Sequence, residues 1–257
     1  MKPNNSIRLL RHATLYIEMN SMKLLVDPML SGKDQMDPVQ DCGNNRRIPM
    51  TDLPFGPEEL NRLLIEADAI IVTHTHRDHW DTAAQALINK NKPVFCQPAD
   101  VSKIKEQGFR HVFAIDALPD WNGIIFNRTG GRHGTGEIGE KMGKVSGFVL
   151  NDGHHTIYIA GDTIWCEDVD KALDEFKPTI VIVNAGSARF LTGNPITMTP
   201  EDIIKVHEKL PGIKIVAVHM DTINHCLSTR DDLRRSLTAV GLQDEVLIPA
   251  DGEKIEL

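Results

Sequence analysis

Within residues 73–80, "THTHRDHW", three histidines and an aspartate fall in six consecutive positions: His74, His76, Asp78 and His79. Imidazole nitrogens and carboxylate oxygens are the donors of zinc-type sites, and short spacings let one loop supply several of them. His74 and His76 are two apart, so in an extended segment both point to the same side. Asp78 and His79 are adjacent and diverge. The pattern suits two cations side by side, with His74 and His76 on one and Asp78 and His79 on the other. Random placement yields such a run about one or two times in a thousand, so chance explains it poorly.

Two cations need further donors, and these should arrive from other strand ends. "GGRHGTGE" offers His133 in a Gly-rich turn, "TIYIAGDT" delivers Asp162 just after a strand, and "IKIVAVHMD" delivers His219. A carboxylate such as Asp162 can bridge two ions about 3.5–4 Å apart. Each of these residues alone reads more readily as an ordinary turn residue. Together with the cluster they complete a set: His74, His76 and His133 around one ion, Asp78, His79 and His219 around the other, Asp162 between. His225 follows His219 closely and competes with it. His219 is preferred because it emerges directly from an apolar strand, which leaves His225 on the substrate side. His12, in "RHATLYIE", either reaches the site, as a candidate substrate contact, or packs between two strands. His111, His154, His155 and His207 read as solvated.

The elements that must position these residues are legible as short runs. "IRLL", "TLYIEM" and "KLLVD" open the chain as strands, with Asn20 and Ser21 turning between the last two. Residues 28–56 are rich in Pro, Gly, Asp and Asn and lack periodicity; a loop this long in a compact domain is usually functional, here a lid or rim. "PEELNRLLIEA" then predicts a helix with Pro57 early and acids in its first turn. "DAIIVT" is a buried strand that feeds the histidine cluster. Helices are expected over 81–90, 98–107, 167–176, 200–209 and 230–240. Strands are expected at "PVFC", "HVFAI", "GIIFNRTGG", "SGFVLND", "TIYIAG", "TIVIVNA", "IKIVAV" and "EVLIP". A β-rich start followed by β/α alternation points to mixed sheets with helices outside, and sites in such layers gather where strands end.

At 257 residues, with 41% hydrophobic and 25% charged residues, the chain is expected to form one globular domain over 1–257. A net charge of −8 opposes a nucleic-acid partner. No long apolar run appears, so neither a signal peptide nor a membrane span is expected. Cys42, Cys96, Cys166 and Cys226 are scattered without a C-x-x-C pair, which fits a reducing cytoplasm.

The H-x-H-x-D-H loop, the later His133, the "GDT" aspartate and the terminal His219 resemble the metallo-β-lactamase-fold hydrolases. "HATLYIE…KLLVDPML", "AGDTIW" and "VNAGSA…ITMTPED" are similar to the branch containing L-ascorbate-6-phosphate lactonase. This resemblance runs from about His12 to His219. It implies an α/β fold, a four-layer αββα sandwich of two mixed sheets flanked by helices, with two divalent metal ions at one edge between the sheets. Zn suits the donor set, and Mn or Fe are alternatives. The resemblance matches His74, His76, Asp78, His79, His133, Asp162 and His219 to metal ligands. It matches Asp27 to a carboxylate behind them; a turn-capping Asp before Pro28 is the equal alternative.

The chemistry implied is hydrolysis by a metal-activated hydroxide at a small cytosolic ester, lactone or phosphoester. Asp78 and His79 are the expected catalytic pair, with Asp78 orienting the attacking water. Arg46, Arg47 and Arg132 are candidate clamps for an anionic substrate, since guanidinium matches carboxylate and phosphate in a fork. Solvated arginines are the simpler reading. Competing functions are a nuclease or phosphodiesterase, a di-iron oxygen- or nitric-oxide-reducing protein, and a non-catalytic metal-binding sensor. A homo-oligomer is compatible with the sequence.

Overall fold

A computed structural model describes residues 5–257. Six strands come first: β1 (Ser6–Arg11), β2 (Thr14–Met19), β3 (Met22–Val26), β4 (Ala69–Val72), β5 (Pro93–Cys96) and β6 (His111–Ala114). They are followed by β7 (Asp120–Trp121), β8 (Ile124–Thr129), β9 (Gly147–Asn151), β10 (Thr156–Ile159), β11 (Ile180–Asn184), β12 (Lys214–Val218), β13 (Val246–Leu247) and β14 (Lys254–Glu256). The helices are α1 (Pro57–Glu66), α2 (Thr82–Leu87), α3 (Val101–Glu106), α4 (Gly136–Met142), α5 (Glu167–Phe176), α6 (Pro200–Lys209) and α7 (Arg230–Ala239).

The strands make two seven-stranded sheets, in the orders β14-β1-β2-β3-β4-β5-β6 and β13-β12-β11-β10-β9-β8-β7. Each sheet changes character part-way along. In the first, β14 through β3 pair antiparallel and β3 through β6 parallel. In the second, β7 through β10 pair antiparallel and β10 through β13 parallel. The change falls at β3 and at β10. These are the strands that run out into Asp27 and, three residues beyond the strand end, into Asp162.

Alternation of side chains along each strand divides the apolar residues between two faces. Ile7, Leu9, Ile17 and Leu24 of one sheet meet Phe126, Phe148, Leu150 and Ile157 of the other in a core between the sheets. The opposite face of the first sheet, with Leu25, Ile70 and Val94, is covered by Leu63, Ala84 and Ile104 from α1, α2 and α3. That of the second, with Tyr158, Val181 and Ala217, is covered by Leu173, Ile203, Val206, Leu233 and Leu237 from α5, α6 and α7. The expected αββα layering is therefore present. Buried parallel strands read as continuous apolar runs, which is why β4, β11 and β12 were legible.

Three elements lie outside the sequence reading. Helix α4 carries glycine at 136 and 139 and buries no residue fully, so it has no apolar stripe to read. Strand β7 is two residues long, and β14 exists only because β1 pairs with it in register Ile7–Ile255. Among the expected helices, 81–90 is shortened to α2; Asp81 caps its start by accepting from the Ala84 N–H, and Ile88 is already extended. Segment 28–56 is ordered by side chains. The Arg11 guanidinium, fully buried, donates to the carbonyls of Met29, Ser31 and Thr51. Asn224 holds the same segment from the other sheet, accepting from Val39 N at 2.9 Å and donating to the carbonyls of Val39 and Asn44. Among the described residues no helix is long and apolar enough to cross a membrane.

Candidate metal centre

The strand ends converge at one edge of the sandwich. β4 ends at Val72 and runs straight into His74, His76, Asp78 and His79; β12 ends at Val218 and delivers His219. β10 is followed by Gly161, whose φ of +69° favours glycine and turns the chain so that Asp162 enters the cluster. β8 leads through Gly130 and Gly131 to His133. His12 occupies the tight turn between β1 and β2 at φ +59°, and His219 takes φ +69°. The His12 carbonyl accepts from the His219 N–H at 2.9 Å, so the two sheets are joined at these residues.

Two groups of donor atoms result: His74, His76, His133 and Asp162 in one, and His12, Asp78, His79 and His219 in the other. Asp162 faces both. Its Oδ2 lies 3.4 Å from His133 Nε2, 3.8 Å from His74 Nε2 and 3.3 Å from His79 Nε2, and its Oδ1 lies 3.2 Å from His219 Nε2. Asp78 Oδ2 stands 3.5 Å from His219 Nε2 and 3.4 Å from His12 Nε2. His79 Nε2 and His219 Nε2 approach to 3.2 Å, and His74 Nε2 and His76 Nδ1 to 3.0 Å. Donors about 2.0–2.1 Å from one tetrahedral zinc lie about 3.4 Å from each other. The spacings match the edges of such coordination spheres.

The tautomers fit as well. Asp27 follows β3 and accepts through Oδ2 from His79 Nδ1 at 2.8 Å and from the Thr73 hydroxyl at 2.7 Å. Thr73 Oγ1 in turn meets His74 Nδ1 at 3.1 Å. One carboxylate thus keeps the protons of His79 and His74 on Nδ1 and turns both Nε2 lone pairs toward the cluster. His133 Nδ1 donates to the Ile196 carbonyl at 2.7 Å with the same effect. His219 Nδ1 meets the Cys226 thiol at 3.5 Å. Asn184, at the end of β11, donates to Asp162 Oδ1 at 2.6 Å and fixes its plane.

Burial lowers the pKa of His74, His133 and His12, so these rings are neutral and their lone pairs available. Burial also opposes charge on Asp78 and Asp162. The surrounding histidines outweigh it and hold both carboxyls well below their ordinary range. Desolvation likewise disfavours the charged form of His79, yet Asp162, Asp27 and Asp78 outweigh it and raise its pKa. Asp27, Asp78 and Asp162 beside the neutral His74, His133 and His12 form a desolvated pocket rich in carboxylate, which favours a divalent cation.

A cavity of about 440 Å³ opens above the centre. Its floor is His76, Asp78, His133 and Asp162, its apolar walls are Pro38, Val39, Met142 and Phe190, and Asp37, Gln40, Arg77 and His225 line it as well. Segment 28–56 forms one wall, which places it as the rim. Four sequence expectations need correction here. His12 reaches the site but not the substrate side: it is fully buried against the His219 ring (centroids 3.7 Å apart) and belongs to the donor group of Asp78, His79 and His219. Arg46 is exposed and absent from the cavity wall. Arg47 is spent on its own loop, bonding Asp37 and the Asp34 carbonyl. Arg132 lines a neighbouring cavity with Arg128 and Lys144, which His133 also borders, and is absent from the cavity above the donor groups. His225 does line the metal-centre cavity. Sequence reasoning missed Thr73 and Asn184, although both sit where strands end and the strand-end rule could have found them. Phe190 and Met142 gave no signal, since neither belongs to a periodic run.

The family model described as the β-lactamase superfamily domain matches residues 23–220. The chain belongs to that superfamily. Among its relatives, the UPF0173 protein YddR of Bacillus subtilis is 34% identical over 256 residues, covering 96% of this chain and 98% of its own. Two solved structures share the metallo-β-lactamase fold closely. The "possible metal-dependent hydrolase" of Veillonella parvula has a TM-score of 0.93 at 36% identity, covering 99% of this chain and 100% of its own. An isothiocyanate hydrolase from Delia radicum gut bacteria has a TM-score of 0.92 at 38% identity, covering 98% and 99%. This superfamily member therefore matches hydrolases along their full length, and its donor clusters lie at the sheet edge that the resemblance implied.

Proposed function

We propose that the protein is a metal-dependent hydrolase of small, largely apolar electrophiles, with organic isothiocyanates as the leading substrate class. The observation that carries this reading is the cavity: donor residues form its floor and Pro38, Val39, Met142 and Phe190 form apolar walls, while the cationic Arg77 stands exposed at the rim. The 38%-identical isothiocyanate hydrolase supports the substrate class. Net hydrolysis adds one water across R–N=C=S: its oxygen bonds the central carbon, both protons end on nitrogen, and the C–N bond breaks to give a primary amine and carbonyl sulfide. His74, His76 and His133 on one side and His12, Asp78, His79 and His219 on the other, with Asp162 facing both, would hold divalent ions, which would supply Lewis acidity and lower the pKa of water toward neutrality. Asp78, ionised and facing the cavity, orients the attacking water and accepts its proton. His79, locked by Asp27, sets the position of that carboxylate's neighbours. The apolar walls hold the R group.

Arg77 favours a second reading. It is exposed on the cavity rim and, among the described residues, makes no ion pair, so a carboxylate or phosphate on an ester or lactone substrate would find it free.

The test is a screen of metal-loaded wild type and Asp78→Ala against alkyl and aryl isothiocyanates, lactones, p-nitrophenyl esters and phosphodiesters. Release of primary amine is the readout for isothiocyanates, because thiols consume them without hydrolysis; all four cysteines are buried, which limits that background. Amine release by wild type at a rate at least about 10²-fold above Asp78→Ala is expected. Equal release by the two proteins would refute the reading.

A further inference from the structure

His225 lines the metal-centre cavity together with His76, Asp78, His133 and Asp162, yet its ring bonds nothing in the protein. The residue is 6% exposed, and its backbone is held in place: the His225 carbonyl accepts from Arg189 N at 3.0 Å, and Cys226 N donates to the Ile223 carbonyl at 3.0 Å. The Phe190 ring backs it at 6.0 Å between centroids. Three loops that share no strand thus fix one imidazole: 219–228, 187–196 and, through Leu191 N to the Asp41 carbonyl at 2.7 Å, the rim segment. Its Nδ1 is sealed from solvent without a partner, which leaves Nε2 to face the cavity. The contrast with the donor histidines is informative. His79, His74 and His133 each have a partner that keeps the proton on Nδ1 and frees Nε2 as a lone pair. His225 has no such partner. A buried N–H without an acceptor is rarer in proteins than a buried lone pair without a donor, so the proton belongs on Nε2, aimed into the cavity.

We infer that His225 is a catalytic residue: its Nε2–H donates a hydrogen bond to the substrate heteroatom on which negative charge develops as water adds to the electrophilic carbon. This rests on the hydrolase reading above but not on the isothiocyanate class, since the nitrogen or sulfur of R–N=C=S and a carbonyl oxygen present the same acceptor. No proton is transferred in this role. A donor fixed before the reaction and enclosed by apolar walls is worth most where charge appears, so its removal should lower kcat more than it raises KM.

The experiment compares wild type, His225→Ala and His225→Gln, metal-loaded, on whichever compound of the screen wild type turns over best. Three readouts are taken: steady-state constants, metal ions per chain, and the long-range 15N–1H spectrum of the imidazoles, with His225 assigned by its disappearance in the Gln variant. A fall of about 10²-fold in kcat for His225→Ala is expected, with metal content unchanged. His225→Gln, which keeps an N–H donor, should recover about tenfold of that loss, and the spectrum should show the proton on Nε2. Activity of His225→Ala within twofold of wild type would overturn the proposal. So would loss of metal from that variant, which would make His225 a ligand, or a proton on Nδ1. Turnover of an ester or phosphodiester but no isothiocyanate sinks the substrate class alone, and the His225 comparison then runs on that compound. Should wild type turn over nothing in the screen, the hydrolase reading falls and the tautomer decides: Nδ1–H overturns the placement of the donor, Nε2–H supports it.

Discussion

Asp27 shows how much depends on one side chain that touches no substrate. Its two oxygens accept from Thr73 N, Thr73 Oγ1 and His79 Nδ1, all between 2.7 and 2.8 Å. It sits at φ +43°, a conformation few non-glycine residues adopt, so the turn after β3 is held by these bonds. The sequence left Asp27 evenly divided between capping a turn and supporting ligands. Its carboxylate supports the ligands: every hydrogen bond it accepts comes from Thr73 or His79 and none from its own turn. Asp27→Asn keeps the shape but replaces one acceptor oxygen with a donor facing His79 Nδ1–H. A loss of about 10- to 100-fold in metal affinity is expected, read by competition titration with a chromophoric chelator. Unchanged affinity would mean that backbone geometry alone orients His79.

At the scale of elements, ligands are delivered by strand ends, and the turns after those strands are as constrained as the ligands. Gly161 is the clearest case. Besides its positive φ, a Cβ there would stand 2.8 Å from the Ser146 carbonyl oxygen. Gly161→Ala therefore meets both left-handed strain and a backbone clash, and should cost upwards of about 1–2 kcal/mol in stability by denaturant unfolding. It should also displace Asp162 and reduce metal bound per chain. A variant of wild-type stability with full metal content would show that the turn can relax. Strand β4 carried its message in sequence, since a four-residue apolar run ending in a histidine cluster needs no partner to be recognised. Helix α4 did not, because it is held by loop contacts of Ile138 and Met142 rather than by a face of its own.

Across the whole molecule, the donor clusters sit where the two sheets meet, so metal occupancy and folding are linked. The His12 to His219 backbone bond and the contacts of Asp162 with His74 and His79 both cross from one sheet to the other. An ion that binds only the folded chain stabilises it by about 2.7 kcal/mol at a hundredfold excess over Kd, or about 5–10 °C in Tm for a chain of this size. Chelation should lower Tm by that amount, and added Zn or Mn should restore it. The stabilisation should fade as pH falls. His79 has a raised pKa without metal, so a cation must displace its proton, and acid favours the proton. A Tm indifferent to chelator at neutral pH would argue against resident metal.

The sequence by itself determined the donor types, the loop that carries four of them and the strand ends that deliver His133, Asp162 and His219. Local spacing and apolar runs record these directly. The β/α alternation likewise determined the layered fold, since each apolar face demands a cover. Only the tertiary structure decided which histidines face which. His12 and His225 are equally ambiguous in sequence. One is enclosed against the His219 ring, and the other is left facing a cavity built by three loops distant in the chain. The arginines follow the same rule. A guanidinium's partner is whatever the folded surface places nearby, so Arg47 serves its own loop while Arg77 stands free at the rim. Ligand identity is a property of short spacing; the direction a side chain faces is a property of contacts between residues far apart.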